Sequence, residues 1–136
     1  MDFLRSLSIA ASGLRAQAGR MRIISENIAN ADSTGQTAGG DPYRRKIPTF
    51  TSELDRTLDA RVVTLGRVRP DASAFRVRYE PNNPAADAAG NVKYPNVNSV
   101  VEMTDMRQAQ RSYEANLNII SATRRMIQRT LDILKA

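Results

Sequence analysis

Apolar residues recur at a seven-residue step toward both ends of this 136-residue chain and lose that step in between. In the last third, Met106, Tyr113, Ile120, Ile127 and Leu134 form one series, and Met103, Leu117 and Leu131 form a second beside it. This is the pattern of an amphipathic helix with a coiled-coil seam. Ser99 followed by Glu102 matches a capping box, in which each side chain satisfies a free backbone donor, so the spacing predicts a helix over 99–136. No Pro or Gly interrupts it, and at ~1.5 Å per residue it is roughly 50 Å long. The first thirty residues answer with Leu7, Leu14, Met21 and Ile28, and with Phe3, Ala10 and Ile24 in a second series. Ala11, Ala16 and Ala18 widen that stripe and admit a close neighbour. Gln17, Gln110 and Arg124 stand at seam positions, where polar groups either fix register or mark the wet edge of a drifting stripe. The expectation is a mainly α protein whose terminal helices, 1–30 and 99–136, form an antiparallel coiled-coil-like pair. Two such stripes leave more apolar edge than one chain covers, so further copies or other chains are expected on the remaining faces.

Between them, 31–98 reads as a loop and a small β-hairpin-containing insert. Asp32-Ser33-Thr34-Gly35 and Gly39-Gly40-Asp41-Pro42 are turn formers, giving an exposed loop over 31–42. Tyr43–Phe50 is extended in character, and Pro48 restricts it to a sheet edge. Glu53–Leu58 suggests a short helical turn. Arg61–Leu65 and Phe75–Tyr79 read as strands joined through Gly66–Ala74. Pro81 to Gly90 reads as another loop, leading to Tyr94-Pro95-Asn96-Val97-Asn98. An insert of this size buries little by itself.

Composition narrows the chemistry. With no Cys and no His, disulfides, thiolate or imidazole metal sites and His-dependent triads are excluded. Three Phe, four Tyr and no Trp are modest material for a compact core. The net charge of +6 raises nucleic acid or anionic lipid as partners, yet residues 1–30, 31–98 and 99–136 each contribute +2. A nucleic-acid footprint is concentrated on one face or segment. The densest runs are Arg44-Arg45-Lys46 and Arg124-Arg125 with Arg129, the latter near a helix C-terminus that suits cations. A cleavable signal is not expected, because Ser8, Ser12, Gly13 and Arg15 break the short apolar run and the seven-residue step continues past Ala16-Gln17-Ala18. No stretch is long and apolar enough to span a bilayer, so no membrane insertion is expected.

Catalytic patterns are missing. Gly39-Gly40 is followed by Asp-Pro and not by a phosphate-binding Lys. Asp55 and Asp59, or Glu102 and Asp105, share a helical spacing, but an acid-base pair needs a pocket that separates their pKa values. Met103, Met106 and Met126 suit a forgiving packing surface. The chain is therefore read as having no catalytic, cofactor or metal residues.

Ser25-Glu26-Asn27-Ile28-Ala29-Asn30 followed by Thr34-Gly35 resembles the N-terminal signature of the bacterial flagellar axial family, the rod, hook and hook-associated proteins. Tyr94-Pro95-Asn96-Val97-Asn98, then Glu102-Met103, Asp105-Met106 and Arg111-Ser112-Tyr113-Glu114-Ala115-Asn116, is similar to the C-terminal region of its proximal rod members, as is Gly40-Asp41-Pro42-Tyr43-Arg44-Arg45-Lys46. Gln36 stands where the family often carries an aromatic, and Thr51–Ala89 matches no motif. The resemblance implies a structural subunit of the proximal rod in the periplasm, without enzymatic activity. It implies export unfolded through the flagellar type III apparatus and helical assembly around a channel with copies of itself and other rod and basal-body proteins. It also implies that Asn27, Ile28, Ala29 and Asn30 form the bend ending the first helix. Leu7, Leu14, Met21, Ile28, Met103, Met106, Tyr113, Leu117, Ile120 and Ile127 would carry packing within and between subunits, and Gly35–Lys46 an intersubunit contact. The rival readings are a basic coiled-coil nucleic-acid binder and a protein lying on a membrane surface through its first helix.

Overall fold

The computed structural model describes residues 3–135. Two long helices, α1 (Phe3–Ala29) and α2 (Ser99–Lys135), flank an insert of six short strands: β1 (Lys46–Ile47), β2 (Phe50–Asp55), β3 (Ala60–Leu65), β4 (Arg69–Pro70), β5 (Arg76–Tyr79) and β6 (Asn91–Tyr94). The strands pair antiparallel as β1 with β4, β2 with β3 and β5 with β6. The chain divides into two compact units, and each helix contributes to both.

The first unit holds α1 up to Met21, the 49–67 segment and α2 from Arg107. Its buried residues are small: Ala10, Ser12, Ala16, Ala60, Ala109 and Thr123. Small side chains let backbones approach, and two glycines mark the closest places. A Cβ on Gly13 would lie 2.9 Å from the Asn116 amide, and one on Gly19 would lie 2.9 Å from Leu65 Cδ2. Ser12 Oγ donates to Ile9 O and accepts from the Val63 backbone N–H at 3.2 Å, fastening β3 to α1. Arg20 donates to Gln108 Oε1 at 3.2 Å. Gln17 Oε1 is buried and has no partner among the described residues.

The second unit holds Arg22–Pro48 and Val68–Met106. Here the interior is larger: Ile23, Ile24, Val92, Tyr94 and Val97 are buried together with Asn27 and Glu102. Ala85 joins Val92 and Tyr94 in one apolar cluster.

Two expectations are corrected, and one strand is added. The segment 53–58 is not helical: Glu53–Asp55 completes β2, and the Asp55 carboxylate accepts from the Thr57 and Leu58 N–H groups to make the turn. Asp59, at φ 46°, closes that turn, so Asp55 and Asp59 share no helical face. The strands at 61–65 and 76–79 do not pair with each other, because β4 lies between them in sequence and bonds to β1, leaving β3 to β2 and β5 to β6. After the 81–90 loop, a segment for which the sequence suggests no element forms β6, whose alternating Val92 and Tyr94 face the interior.

Along α2 the buried line is Glu102, Ala109 and Thr123, with half-buried Asn116 completing the seven-residue step. Met106, Tyr113, Ile120 and Ile127 lie half-buried beside it, whereas Met103 and Leu117 are exposed. Small and polar residues take the line of closest approach, which pushes the second apolar series outward. On α1, Leu7, Leu14, Met21 and Ile28 are half-buried, and the fully enclosed large residues are Ile23 and Ile24. Gln110 and Arg124 are exposed.

Candidate functional site

The second unit is organised by a buried polar cluster at the junction of α1, the 43–46 segment and the start of α2. Asn27, fully buried, uses every hydrogen-bonding position of its amide. Its Nδ2 donates to Lys46 O at 2.8 Å and to Glu102 Oε2 at 3.1 Å, while its Oδ1 accepts from Tyr43 Oη at 2.8 Å and from Lys46 N at 2.9 Å. Arg45 Nε reaches the other Glu102 oxygen at 2.6 Å, and Arg45 Nη1 reaches Asp71 at 3.3 Å. The Arg45 N–H donates to Asn96 Oδ1, and the Asn96 amide donates to Asp71 O, Ser73 O and Ser73 Oγ. Four separated stretches of sequence are tied together by this network, and at its centre Asn27 and Glu102 are enclosed away from water.

The electrostatics follow from that enclosure. Burial of Tyr43, with Glu26 and Glu102 close by, pushes its phenol up to about 12. Burial opposes the charge on Arg45, but the hydrogen bond and attraction of Glu102, reinforced by Asp71, outweigh it and raise its pKa. The Asp71 carboxyl is held below its usual range by hydrogen bonds from the Ser73 backbone and side chain, then by Arg45.

The Asn27–Asn30 motif divides into two roles. Asn27 is the hub of the cluster, and Asn30 closes the helix, its N–H and its Nδ2 both bonding to Glu26 O at 3.2 and 2.8 Å. Ile28 is half-buried and Ala29 exposed. Asn30 has no positive φ; among the described residues only Asp59, Gly39 and Gly90 do. The start of α2 also differs from the capping-box expectation. Asn98, not Ser99, caps it, its Oδ1 accepting from Val100 N at 3.1 Å and Val101 N at 3.4 Å. Glu102 turns inward because Arg45 and Asn27 offer charge-assisted partners that the helix end cannot match.

The loop after α1 is closed on itself. Gly40 N donates to Thr37 O at 2.9 Å, Gly39 N donates to Ala85 O at 3.1 Å, and a Cβ on Gly35 would lie 2.7 Å from Gly40 O. Beyond it, Arg22, Ile23, Glu26, Tyr43, Arg44, Lys46, Val68 and Pro70 line an open cleft of about 790 Å³. Sequence reasoning placed Gly35–Lys46 in a contact loop but missed the convergence of Tyr43, Arg45, Asp71 and Asn96. The available signal was the crowding of Asn, Tyr and Arg within otherwise ordinary loop sequence.

No described helix is long and apolar enough to cross a membrane. Residues 7–35 match the family of flagella basal body rod proteins, and residues 88–133 match the C-terminal family of the flagellar basal body rod FlgEFG proteins. The chain is 54% identical to the flagellar basal-body rod protein FlgC of Agrobacterium fabrum over 100% of its own length and 99% of that protein's. It is 38% identical to FlgC of Aquifex aeolicus, covering 99% of each chain, and 38% identical to FlgC of Salmonella typhimurium, covering 98% of each. With terminal helices matching the rod families and full-length similarity at these identities, the chain belongs to the FlgC family of flagellar basal-body rod proteins.

Proposed function

We propose that this chain is a non-enzymatic structural subunit of the proximal rod, built into a helical lattice of its own copies and other basal-body proteins around an export channel. The observation that carries this reading is the surface of α2 in the first unit. Leu117, Ile119, Met126, Leu131, Ile133 and Leu134 are 45–77% exposed, while the residues enclosed in that unit are small. Apolar side chains left in water on a long helix are stabilised when neighbours cover them, at ~25 cal/mol per Å² removed from solvent. Packed in this way, the helices resist shear, and torque passes from motor to hook.

Contacts between α1 and α2 favour an antiparallel run. Gly13 lies by Asn116 and Arg20 bonds to Gln108 in the first unit, and Asn27 bonds to Glu102 in the second. The half-buried Leu7, Leu14, Met21, Met106, Tyr113, Ile120 and Ile127 then carry contacts within the subunit, and the exposed Met103 and Leu117 contacts between subunits. Delivery is through the type III export apparatus in an unfolded state. The nucleic-acid alternative has no support in the relatives, and Arg45, Lys46 and Arg76 are held in ion pairs within the chain.

Leu117→Asp tests the reading. Cells carrying it are expected to lose motility and complete rods, while the purified chain keeps the helicity of the unsubstituted one. Motile cells with normal rods would overturn it.

A further inference from the structure

We propose that free copies of this chain associate in antiparallel pairs through a second face of α2, the occupant of that face being α2 of another copy. Within the first unit, Ile119, Met126 and Ile133 recur seven residues apart and are all exposed. Ala115 and Ala122 stand among them, so the apolar positions from 115 to 126 step by four and three residues, the spacing of a coiled-coil seam. Ser112 and Arg129 continue the same step at either end. At ~100° per residue, this seam lies roughly a quarter turn from the enclosed line of Ala109, Asn116 and Thr123. It is therefore separate from the face that α2 turns to its own chain.

The alternation of large and small residues decides the direction. Parallel copies in register would set Ile119 on Ile119 and Ala122 on Ala122, giving wide and narrow layers, and would place Arg129 against Arg129. Turned antiparallel, Ile119 meets Ala122 of the second copy and Met126 meets Ala115, so each large side chain fills the space a small one leaves. Arg129 then faces Ser112 of the second copy, whose hydroxyl accepts from it. The two Arg129 residues stand roughly 25 Å apart along the axis at ~1.5 Å per residue, beyond the ~8 Å screening length of physiological salt. The charged border agrees. Arg111, Asn118, Arg125 and Asp132 follow the seam on its outer side at the same seven-residue step. In the antiparallel pair Arg111 meets Asp132 of the second copy and Arg125 meets Asn118, each contact made twice by symmetry. Arg111 and Arg125 are exposed and make no ion pair among the described residues. One Asp132 oxygen accepts from Gln128 Nε2 at 3.1 Å, and the other is open. Glu114 and Arg124, also exposed, lie outside the seam. The +6 on each copy repels at long range, but salt screens that repulsion and the local pairs decide. Such a pair is isologous and closed. It covers Ile119, Met126 and Ile133 without propagating, and, resting on the rod function proposed above, it has to separate before a copy joins the lattice.

The test uses the purified full chain, which has no Cys and so accepts single labels. Sedimentation is expected to show a concentration-dependent monomer–dimer equilibrium. Nitroxides are attached at Arg124→Cys and, in a second sample, at Gln110→Cys, both exposed and on the same outer side of α2. Pulsed dipolar resonance is expected to find the two copies' labels offset along the axis by roughly 10 Å at 124 and roughly 30 Å at 110, at ~1.5 Å per residue. Asp132→Arg is expected to weaken the dimer several-fold with helicity by circular dichroism unchanged. Adding Arg111→Asp restores it, because the pair is rebuilt with its signs exchanged, whereas adding Arg56→Asp, which returns the net charge away from the seam, does not. A monomer at every concentration, equal separations at the two labelled positions, or open-ended oligomers would overturn the proposal. So would a charge exchange that fails to restore the dimer, or equal restoration by Arg56→Asp. None of these readouts needs the rod: absence of the chain from purified basal bodies would overturn the rod function and leave the pair standing.

Discussion

Asn27 Nδ2 lies 3.1 Å from Glu102 Oε2, and both residues are almost wholly enclosed, at 0 and 1% exposure. They are 75 residues apart, one in the last turns of α1 and the other in the first turn of α2. A buried carboxylate is tolerable only with its charge matched and its oxygens bonded, and here Arg45 supplies the charge while Asn27 supplies the second bond. The second unit therefore forms only when both helix ends and the 43–46 segment arrive together.

Asn27→Ala removes the amide and leaves the Tyr43 hydroxyl, both Lys46 backbone groups and one Glu102 oxygen short of a partner. Orphaned buried groups cost ~1 to 3 kcal/mol each when solvent cannot reach them, so a net loss of about 3 kcal/mol is expected after relaxation. Glu102→Gln keeps the shape and loses the charge match to Arg45, for about 2 kcal/mol. Urea unfolding of the purified full chain, followed by circular dichroism, checks the order. Equal stability of Asn27→Ala and the unsubstituted chain would contradict the hub role.

How much of this was legible follows physical lines. The helices were plain because Leu7, Leu14, Met21 and Ile28, and Met106, Tyr113, Ile120 and Ile127, repeat a local period that depends on nothing distant. Which line along α2 would be enclosed was not, because Glu102, Ala109, Asn116 and Thr123 look like solvent-facing residues until a partner surface is in place. Strand pairing failed for a related reason: β4 consists of two residues, Arg69 and Pro70, too short to show alternation, and it separates strands that sequence order alone joins. The cap misread had a local cause. Asn98 and Ser99 are adjacent cap formers, and only the competing attraction of Arg45 for Glu102 decides between them.

Two glycines separate backbone crowding from side-chain crowding. A Cβ at Gly35 would meet the Gly40 carbonyl oxygen at 2.7 Å, a backbone atom held by the loop's own hydrogen bonds. Gly35→Ala is expected to cost ~1 to 3 kcal/mol as an overpacked site. At Gly13 the obstacle is the Asn116 amide, which can rotate away from its bond to Ser112 O, and Ala also gains helix propensity of ~1 kcal/mol. Gly13→Ala is therefore expected near neutral in the same unfolding measurement.

Tyr43 supplies an alkaline marker for the polar cluster. Its folded pKa of about 12 lies above its ordinary value of 10.0, so folding favours the protonated phenol. The stability this contributes is complete below pH 10 and falls as pH rises from there through about 12. Absorbance titration at the phenolate band is expected to show a late-ionising tyrosine that Tyr43→Phe removes. A titration unchanged by that substitution would contradict the assignment.

On the acid side, Glu80 is held below its ordinary value by hydrogen bonds from Asn83 and then Tyr94, and Asp41 by the hydrogen bond and charge of Lys93. Both favour the ionised form in the folded state. Their contribution is complete above the ordinary carboxylate values and disappears as pH falls through the lowered ones. Carboxyl-carbon NMR of the full chain is expected to show the Glu80 titration shifting upward in Asn83→Ala, and the Asp41 titration shifting upward in Lys93→Ala.

Protection from solvent is expected to differ between the two units when the chain is free. In the second unit Ile24, Asn27, Val92, Tyr94 and Val97 are at most 9% exposed, and their surroundings include both apolar packing and the polar cluster. In the first, the enclosed residues are small, while Leu131, Ile133 and Leu134 are 45, 75 and 77% exposed on the last turns of α2. A helix end with few tertiary contacts opens at a small fraction of the global unfolding free energy. Hydrogen exchange on the dilute purified chain is therefore expected to label 117–135 long before 23–27 and 91–97. In assembled rods the difference should largely vanish, because neighbours would cover the same turns. Equally slow exchange across α2 in the dilute chain would mean that its apolar flank is already protected, and the case for coverage by other subunits would fall with it.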